Sequence, residues 1–338
     1  LALRFVSNPP VLLDVLFLLA GLALLLGGGE LLVRGATALA RSFGISPLVV
    51  GLTVVAFGTS APELAVNLAA ALRGEGGISF GNIVGSNIAN VGLIVGTAAL
   101  VRPLSVHVTV ILREIPMMLL ASAAVLVMSF QSRLEGGADA FRRSDGLILL
   151  LLFGVFLYYT TLDALLQRGS AAIAHEVEDL AEEGLAAGRG RSLLLTVLGL
   201  AGLIAGGELT VRSAVALALA LGISQAVIGL TIIAVGTSLP ELVTSVMAVR
   251  RGQSDLAMGN VVGSNIFNLL LVLGLTATVH PIPVPEGGHV DLLMMTAFAV
   301  ALLPLSVRRR RMPRWSGALL LASYALYLLW RSVASGPA

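Results

Sequence analysis

The chain holds 338 residues, 57% of them hydrophobic and only 12% charged, with a mean hydropathy of +0.96. A soluble chain of that length needs far more polar surface, so these values describe a polytopic membrane protein. Net charge is only +2 and all 21 basic residues are arginines, so nothing supports nucleic-acid binding, and the absence of cysteine excludes disulfides, thiolate metal sites and cysteine catalysis.

Apolar stretches of about 20 residues or more, enough to cross a bilayer, are predicted in chain order at 11–40, 45–72, 78–101, 106–130 and 145–166. A second set follows at 192–220, 223–249, 256–279, 289–307 and 315–332. The first stretch is too long for a signal-peptide core and runs straight into further spans, so it reads as a membrane helix. The chain begins at Leu1, and the natural initiator is expected to precede it. Residues 167–191 form the one long polar stretch, with Glu176, Glu178, Asp179, Glu182 and Glu183 before Gly188-Arg189-Gly190-Arg191. It lacks an EF-hand pattern and reads as a solvated acidic linker rather than a cation-gathering helix.

The two sets of spans are copies. Shifting by 178 residues aligns 43–96 with 221–274, and 27 of those 54 positions are identical. Upstream, Glu30 and Arg34 fall on Glu208 and Arg212 in the same register. Five spans per copy is an odd number, so the second copy lies inverted relative to the first. The expected organisation is a five-helix repeat over 1–166, a cytoplasmic linker over 167–191 and an inverted repeat over 192–338. The expected fold class is all-α, with ten transmembrane helices and broken helices at the ion site. With the amino terminus outside, inside loops hold 12 arginines and outside segments six, leaving aside Arg34, Arg113 and Arg212 within or beside spans. The positive-inside rule then places both termini outside.

The chemistry sits in two repeated phrases. Gly58-Thr59-Ser60-Ala61-Pro62-Glu63 is matched by Gly236-Thr237-Ser238-Leu239-Pro240-Glu241. A carboxylate inside an apolar span is costly and marks an ion or proton pathway, while the adjacent proline breaks the helix and frees backbone carbonyls. The second phrase, Gly81-Asn82 through Asn90, is matched by Gly259-Asn260 through Asn268. On an ideal helix Ser86 and Asn90 share a face, as do Ser264 and Asn268, while Asn87 lies about 100° round from Ser86. A lone membrane glutamate can be a buried structural contact. Two in identical proline-broken settings, each followed 27 residues later by an asparagine, point to function. No histidine or thiolate joins the set, so the ligands are all oxygen, which suits hard cations such as Na⁺, Ca²⁺ or Mg²⁺. Two carboxylates match one divalent ion or two monovalent ones, a physical basis for exchange. Glu30–Arg34 and Glu208–Arg212, beside Gly27 to Gly29 and Gly206 and Gly207, read as i,i+4 ion pairs near an interface. The sharper reading is that the glycines give smooth surfaces on which these helices slide.

These phrases resemble the two α-repeats of the Ca²⁺/cation antiporter superfamily, most nearly its prokaryotic sodium/calcium exchanger branch. The resemblance implies ten helices in two inverted repeats and Na⁺-driven Ca²⁺ extrusion by alternating access, with the first and sixth helices sliding past the other eight. It implies Glu63 and Glu241 as central carboxylates and Asn90 and Asn268 as second-tier ligands. Thr59, Ser60, Ser86, Thr237, Ser238 and Ser264 match hydroxyl ligands, and Ala56 and Ala234 match backbone carbonyl donors. Some relatives carry aspartate at the position of Asn268 or its counterpart; here both are amides, which lowers the site charge and argues against potassium co-transport.

The expected protein is a monomeric, multi-pass antiporter of a bacterial or archaeal inner membrane. Its substrates would be Na⁺ and Ca²⁺, with no cofactor and no enzymatic activity. Ca²⁺/H⁺ exchange is the nearest alternative, with a protonated glutamate pair in place of sodium. A passive cation channel ranks below it. An intramembrane hydrolase ranks lowest, because no nucleophile–base pair is evident and His107, His175, His280 and His289 lie at span ends or in loops.

Overall fold

The computed structural model describes residues 9–74, 76–130, 136, 138–175, 188–221, 236–307 and 310–334. Helix α1 (Pro9–Ser42) is followed by a broken span, α2 (Pro47–Thr59) and α3 (Ala61–Leu72), bent by 43° at the break. Then come α4 (Gly76–Val101), α5 (Val110–Met128) and α6 (Arg143–His175). The second half contributes α7 (Arg189–Ala220), α8 (Leu239–Arg250), α9 (Ser254–Val279), α10 (Gly288–Val307) and α11 (Arg314–Ala334). Eight of these are continuous helices long and apolar enough to span a bilayer, and α2 with α3 makes a ninth span. The remaining predicted span, 223–249, is described only from 236 onward, where α8 matches α3.

The architecture is ten membrane helices in two inverted five-helix repeats. The inversion is visible where α1 meets α7. A Cβ on Gly21 would strike Thr210, one on Gly28 would strike Leu203, and one on Gly35 would strike Thr196, each within 2.8 Å of the backbone. Each step forward along α1 is an equal step backward along α7, so the first helices of the two halves run antiparallel. Small residues allow this backbone approach, which replaces hydrophobic collapse as the cohesive force inside lipid.

Two short antiparallel staples join the halves at loops. Strand β1 (Leu104–Ser105) pairs with β4 (Arg311–Met312), and β2 (Ala140–Phe141) pairs with β3 (Ile282–Pro283). Each staple pairs one loop from each half and satisfies backbone groups where the chain leaves the membrane. The sequence reading had no signal for strands this short. The fifth span ends at Leu166 as expected, and α6 itself continues to His175. The rest of the acidic stretch, 176–187, and the carbonyl donor expected at Ala234 lie outside the described residues.

Burial separates the helices into two groups. Every residue of α9 from Leu256 to Ile266 is buried, and α4 is nearly as enclosed. By contrast α1 and α6 turn large side chains such as Leu19, Phe17, Leu151 and Tyr158 outward, as a lipid-facing surface requires. The centre is formed where α2 crosses α9. A Cβ on Gly51 would lie 2.7 Å from Leu256 O, and one on Gly259 the same distance from Leu48 O. A helix of the first half is thus pressed directly against a helix of the second.

Candidate ion-binding site

The broken span positions the first carboxylate. Helix α2 ends at Thr59, Ser60 leaves helical geometry (φ −86°, ψ 3°), and α3 restarts with Pro62 in its first turn, where a missing N–H costs nothing. Glu63 therefore sits in the first turn of α3, where the partial positive charge of the helix N-terminus favours a carboxylate. Ser238 (φ −90°, ψ 8°), Pro240 and Glu241 repeat the arrangement at the start of α8. Both glutamates are 1% exposed.

The partner helices α4 and α9 are not regular at this depth. Each contains a π-helical segment, Asn90–Val95 and Phe267–Val272, placed equivalently in the two repeats. Widened turns of this kind are rare and concentrate at functional sites. Here they coincide with Asn90 and Asn268. The sequence carries no simple signature for them.

Contacts across the repeats draw these pieces together. The Ser60 hydroxyl donates to Glu241 Oε1 at 3.2 Å, so the segment carrying Glu63 touches the carboxylate of the other half. The Thr59 hydroxyl has Val55 O and Asn260 Oδ1 each at 3.1 Å and donates its single proton to one of them. Asn90 Nδ2 donates to Asn265 Oδ1 at 2.9 Å, and Asn265 Nδ2 in turn faces Met118 Sδ at 3.4 Å. Ala56 O accepts from Ser60 N at 3.0 Å, which leaves its second lone pair available.

What remains is a set of oxygens with no hydrogen-bond partner. Glu63 Oε2, Glu241 Oε2, Asn90 Oδ1, Asn268 Oδ1, Ser264 Oγ, Thr237 Oγ1 and Ser238 Oγ are all fully buried and unpartnered. Leaving one such group dry costs about 1–3 kcal/mol, and more for a charged one. Ser86 is buried beside them at 3% exposure. Seven other buried side-chain oxygens of the described residues, Asn67 Oδ1, Asn87 Oδ1 and Thr244 Oγ1 among them, are also without a partner. Of the candidate ligand oxygens, Glu63 Oε2 and Asn90 Oδ1 lie in the first half and the other five in the second, and all are the kind of oxygen a hard cation takes. Among the described residues no cluster of three or more His, Cys, Asp or Glu exists. The candidate donor set is two carboxylates among neutral oxygens, the chemistry of hard-cation ligands.

A supporting layer escaped the sequence reading. Asn67, one turn after Glu63, donates to Glu63 O and to Asn82 Oδ1, both at 2.7 Å. In the other half Asn260 donates to Ser245 Oγ at 3.1 Å and to Glu241 O at 3.4 Å. Each glutamate's backbone is thus held by an amide, which fixes where its carboxylate points. The i,i+4 spacing of Asn67 from Glu63 and of Ser245 from Glu241 was the available signal.

The two predicted ion pairs are present. Arg34 Nη2 meets Glu30 Oε1 at 2.7 Å, and Arg212 pairs with Glu208. The glycines beside them divide their work. Gly28 and Gly206 seam α1 to α7, whereas Gly29 and Gly207 face α8. These glycines are thus divided between the seam of the two outer helices and the surface those helices present to α8.

Comparison with known proteins matches this arrangement over nearly the whole chain. The family model described as sodium/calcium exchanger protein matches residues 13–162 and 191–333. Inner membrane protein YrbG of Escherichia coli (strain K12) is 38% identical over 94% of this chain and 96% of its own length. Sodium/calcium exchanger MaX1 of Methanosarcina acetivorans is 35% identical over 94% of this chain and 98% of its own. A solved structure of the sodium-calcium exchanger NCX_Mj, soaked with Na⁺ and without Ca²⁺, superposes with a TM-score of 0.80 at 33% identity. It covers 97% of this chain and 100% of that one. With fold, repeat and sequence in agreement, the chain belongs to the sodium/calcium exchanger family, as a multi-pass inner-membrane cation exchanger rather than an enzyme.

Proposed function

We propose that this protein exchanges Na⁺ for Ca²⁺ across the inner membrane by alternating access, using the cage around Glu63 and Glu241. The observation that carries the reading is the set of buried, unpartnered oxygens on the repeated glutamates and asparagines of both halves. A Ca²⁺ ion accepts about 6–8 oxygen ligands in flexible geometry, which two carboxylates, two amides and several hydroxyls supply. Asn90 and Asn268 offer their amide oxygens, while Thr59, Ser60, Ser86, Thr237, Ser238 and Ser264 provide hydroxyls for flanking Na⁺ sites. Backbone carbonyls near Ala56 and Ala234 complete those sites. The two carboxylates total −2, and either one Ca²⁺ or two Na⁺ neutralises that charge. An empty cage leaves two like charges close together in a dry interior, which disfavours closure. Loaded states of either kind can close and reorient, and an empty one resists. That difference couples the two fluxes. One chain supplies every ligand, so a monomer suffices. By the arginine count both termini face outward and residues 167–191 form a cytoplasmic linker between the repeats.

Calcium flux into proteoliposomes tests the coupling. The expected outcome is Ca²⁺ uptake driven by an outward Na⁺ gradient and indifferent to an imposed pH gradient. Uptake driven by a pH gradient and indifferent to sodium would replace Na⁺ by protons on the glutamate pair.

A further inference from the structure

We propose that Glu30–Arg251 and Glu208–Arg73 are two alternative ion pairs, formed one at a time, that latch the ion cage from opposite faces of the membrane. The inference rests on the exchange reading above, and it concerns residues outside the cage.

The repeat relates the four residues. The 178-residue register carries Glu30 onto Glu208 and Arg73 onto Arg251, and it carries Gly74 (φ +75°) onto Gly252 (φ +76°). Both arginines thus end equivalent helices immediately before equivalent left-handed glycine turns. A contact that one half makes in one state is available to the other half in the inverted state.

Only one of the two pairs is formed. Arg251 Nε donates to Glu30 Oε2 at 2.8 Å, which ties α1 to the end of the helix that begins with Glu241. Arg73 is exposed and has no ion partner among the described residues, and the Glu208 side chain is 59% exposed, held only by Arg212 of its own helix.

The packing beside each pair follows the same division. On the Glu30 side a Cβ on Gly29 would lie 2.8 Å from Val243 Cγ1 and 3.5 Å from Met247 Cγ, so α1 is pressed flat against α8. On the Glu208 side, Ala65, the counterpart of Val243, instead lines a cavity of about 430 Å³ with Pro62, Gly207, Glu208, Thr237 and Pro240. Thr237 and Pro240 adjoin Glu241, so the cavity reaches the cage from the side whose ion pair is open. Where the pair is closed, a smaller pocket of about 240 Å³ beside Arg34 and Arg251 is lined by none of the cage residues.

The i,i+4 arginines explain how such a latch can open in an apolar setting. Glu30 is shared between Arg34 and Arg251, and Glu208 is held by Arg212. When the cross-helix arginine leaves, the same-helix arginine stays. No carboxylate is stripped bare in either state, and the difference between the two states remains small enough for ion binding to decide it.

The chain has no cysteine, so single introduced thiols report without background. Ala65→Cys, in the open cavity, is labelled with a membrane-impermeant maleimide in intact proteoliposomes. In that background Arg251→Ala releases the formed latch and should lower the labelling rate by about 1.5- to 5-fold, the range expected for a partly exposed ion pair. Arg73→Ala should not lower it, and exchanging the charges, Glu30→Arg with Arg251→Glu, should restore it. Glu208→Cys with Arg73→Cys should form a cross-link only after the protein is turned over with Na⁺ and Ca²⁺. Equal labelling in the Arg251→Ala and Arg73→Ala proteins, or a Glu208–Arg73 position pair that never cross-links during turnover, would overturn the latch. Labelling does not depend on which ions are carried, so a shift in labelling without Na⁺-coupled flux would count against the exchange reading and leave the latch standing.

Discussion

The two halves hold their glutamates through different amides. In the first half Asn67, on the same helix, donates to Glu63 O, and in the second Asn260, on the facing helix, donates to Glu241 O; in the repeat register Asn67 falls on Ser245 and Asn260 on Asn82. The ligand faces differ as well. Ser60 donates to Glu241, whereas its twin Ser238 has no partner. Asn90 Nδ2 donates to Asn265 Oδ1, while Asn90 Oδ1 and Asn268 Oδ1 alike face no donor. Both the support and the ligand face are therefore asymmetric, although the residues that build them are repeated. A duplicated sequence thus gives one asymmetric state and, by exchange of roles, its mirror.

The largest break in this comparison comes from the carboxylates. Glu63→Gln and Glu241→Gln each remove one charge from a dry cage and leave the other uncompensated by the same ion. Each should weaken Ca²⁺ binding by about 3–5 kcal/mol, on the order of a hundredfold or more. Flux assays on the purified, folded variants check this, and near-normal exchange in both single mutants would remove the proposed site.

A smaller and sharper test separates the two asparagines. Asn268→Asp places a charge where an amide oxygen is unpartnered, and it should strengthen divalent binding by about 1–2 kcal/mol. The gain should be present while the new carboxylate is ionised and should fade as pH drops through its titration. Asn90→Asp, in contrast, replaces a donor with an acceptor facing Asn265 Oδ1, and it should weaken binding and stability. Titrating both variants over pH distinguishes them, and identical behaviour would mean that the asymmetry of the ligand face has no functional weight. Smallest of all is the several-fold shift expected from opening the Glu30–Arg251 latch, which reads the same asymmetry at the periphery.

Much of this site was legible from residues alone. Two carboxylates inside apolar spans, repeated with their prolines, are too costly to be ornament, and the asparagines 27 residues later fall where a facing helix needs them. Ideal-helix geometry also placed Ser86 with Asn90 and Ser264 with Asn268. It could not reveal the π-helical segments at Asn90–Val95 and Phe267–Val272, because an extra residue per turn leaves the apolar pattern of a fully buried helix unchanged. Nor could it choose between Asn87 and Asn265. The first donates to Ile83 O in its own helix and the second reaches across the repeat, although their local sequences are nearly the same. The contacts that differ between the halves depend on which state the molecule occupies, and a repeat read as a string has no state.

The central claim is that one cage holds either Ca²⁺ or Na⁺. Titration calorimetry of Ca²⁺ into the purified protein at increasing Na⁺ tests it most directly. Competition at a single site predicts that the apparent Ca²⁺ affinity falls steadily as Na⁺ rises, with the number of bound Ca²⁺ ions unchanged, and that Glu63→Gln abolishes the Ca²⁺ signal. A Ca²⁺ affinity that stays constant across the Na⁺ series, or binding that survives Glu63→Gln intact, would contradict it.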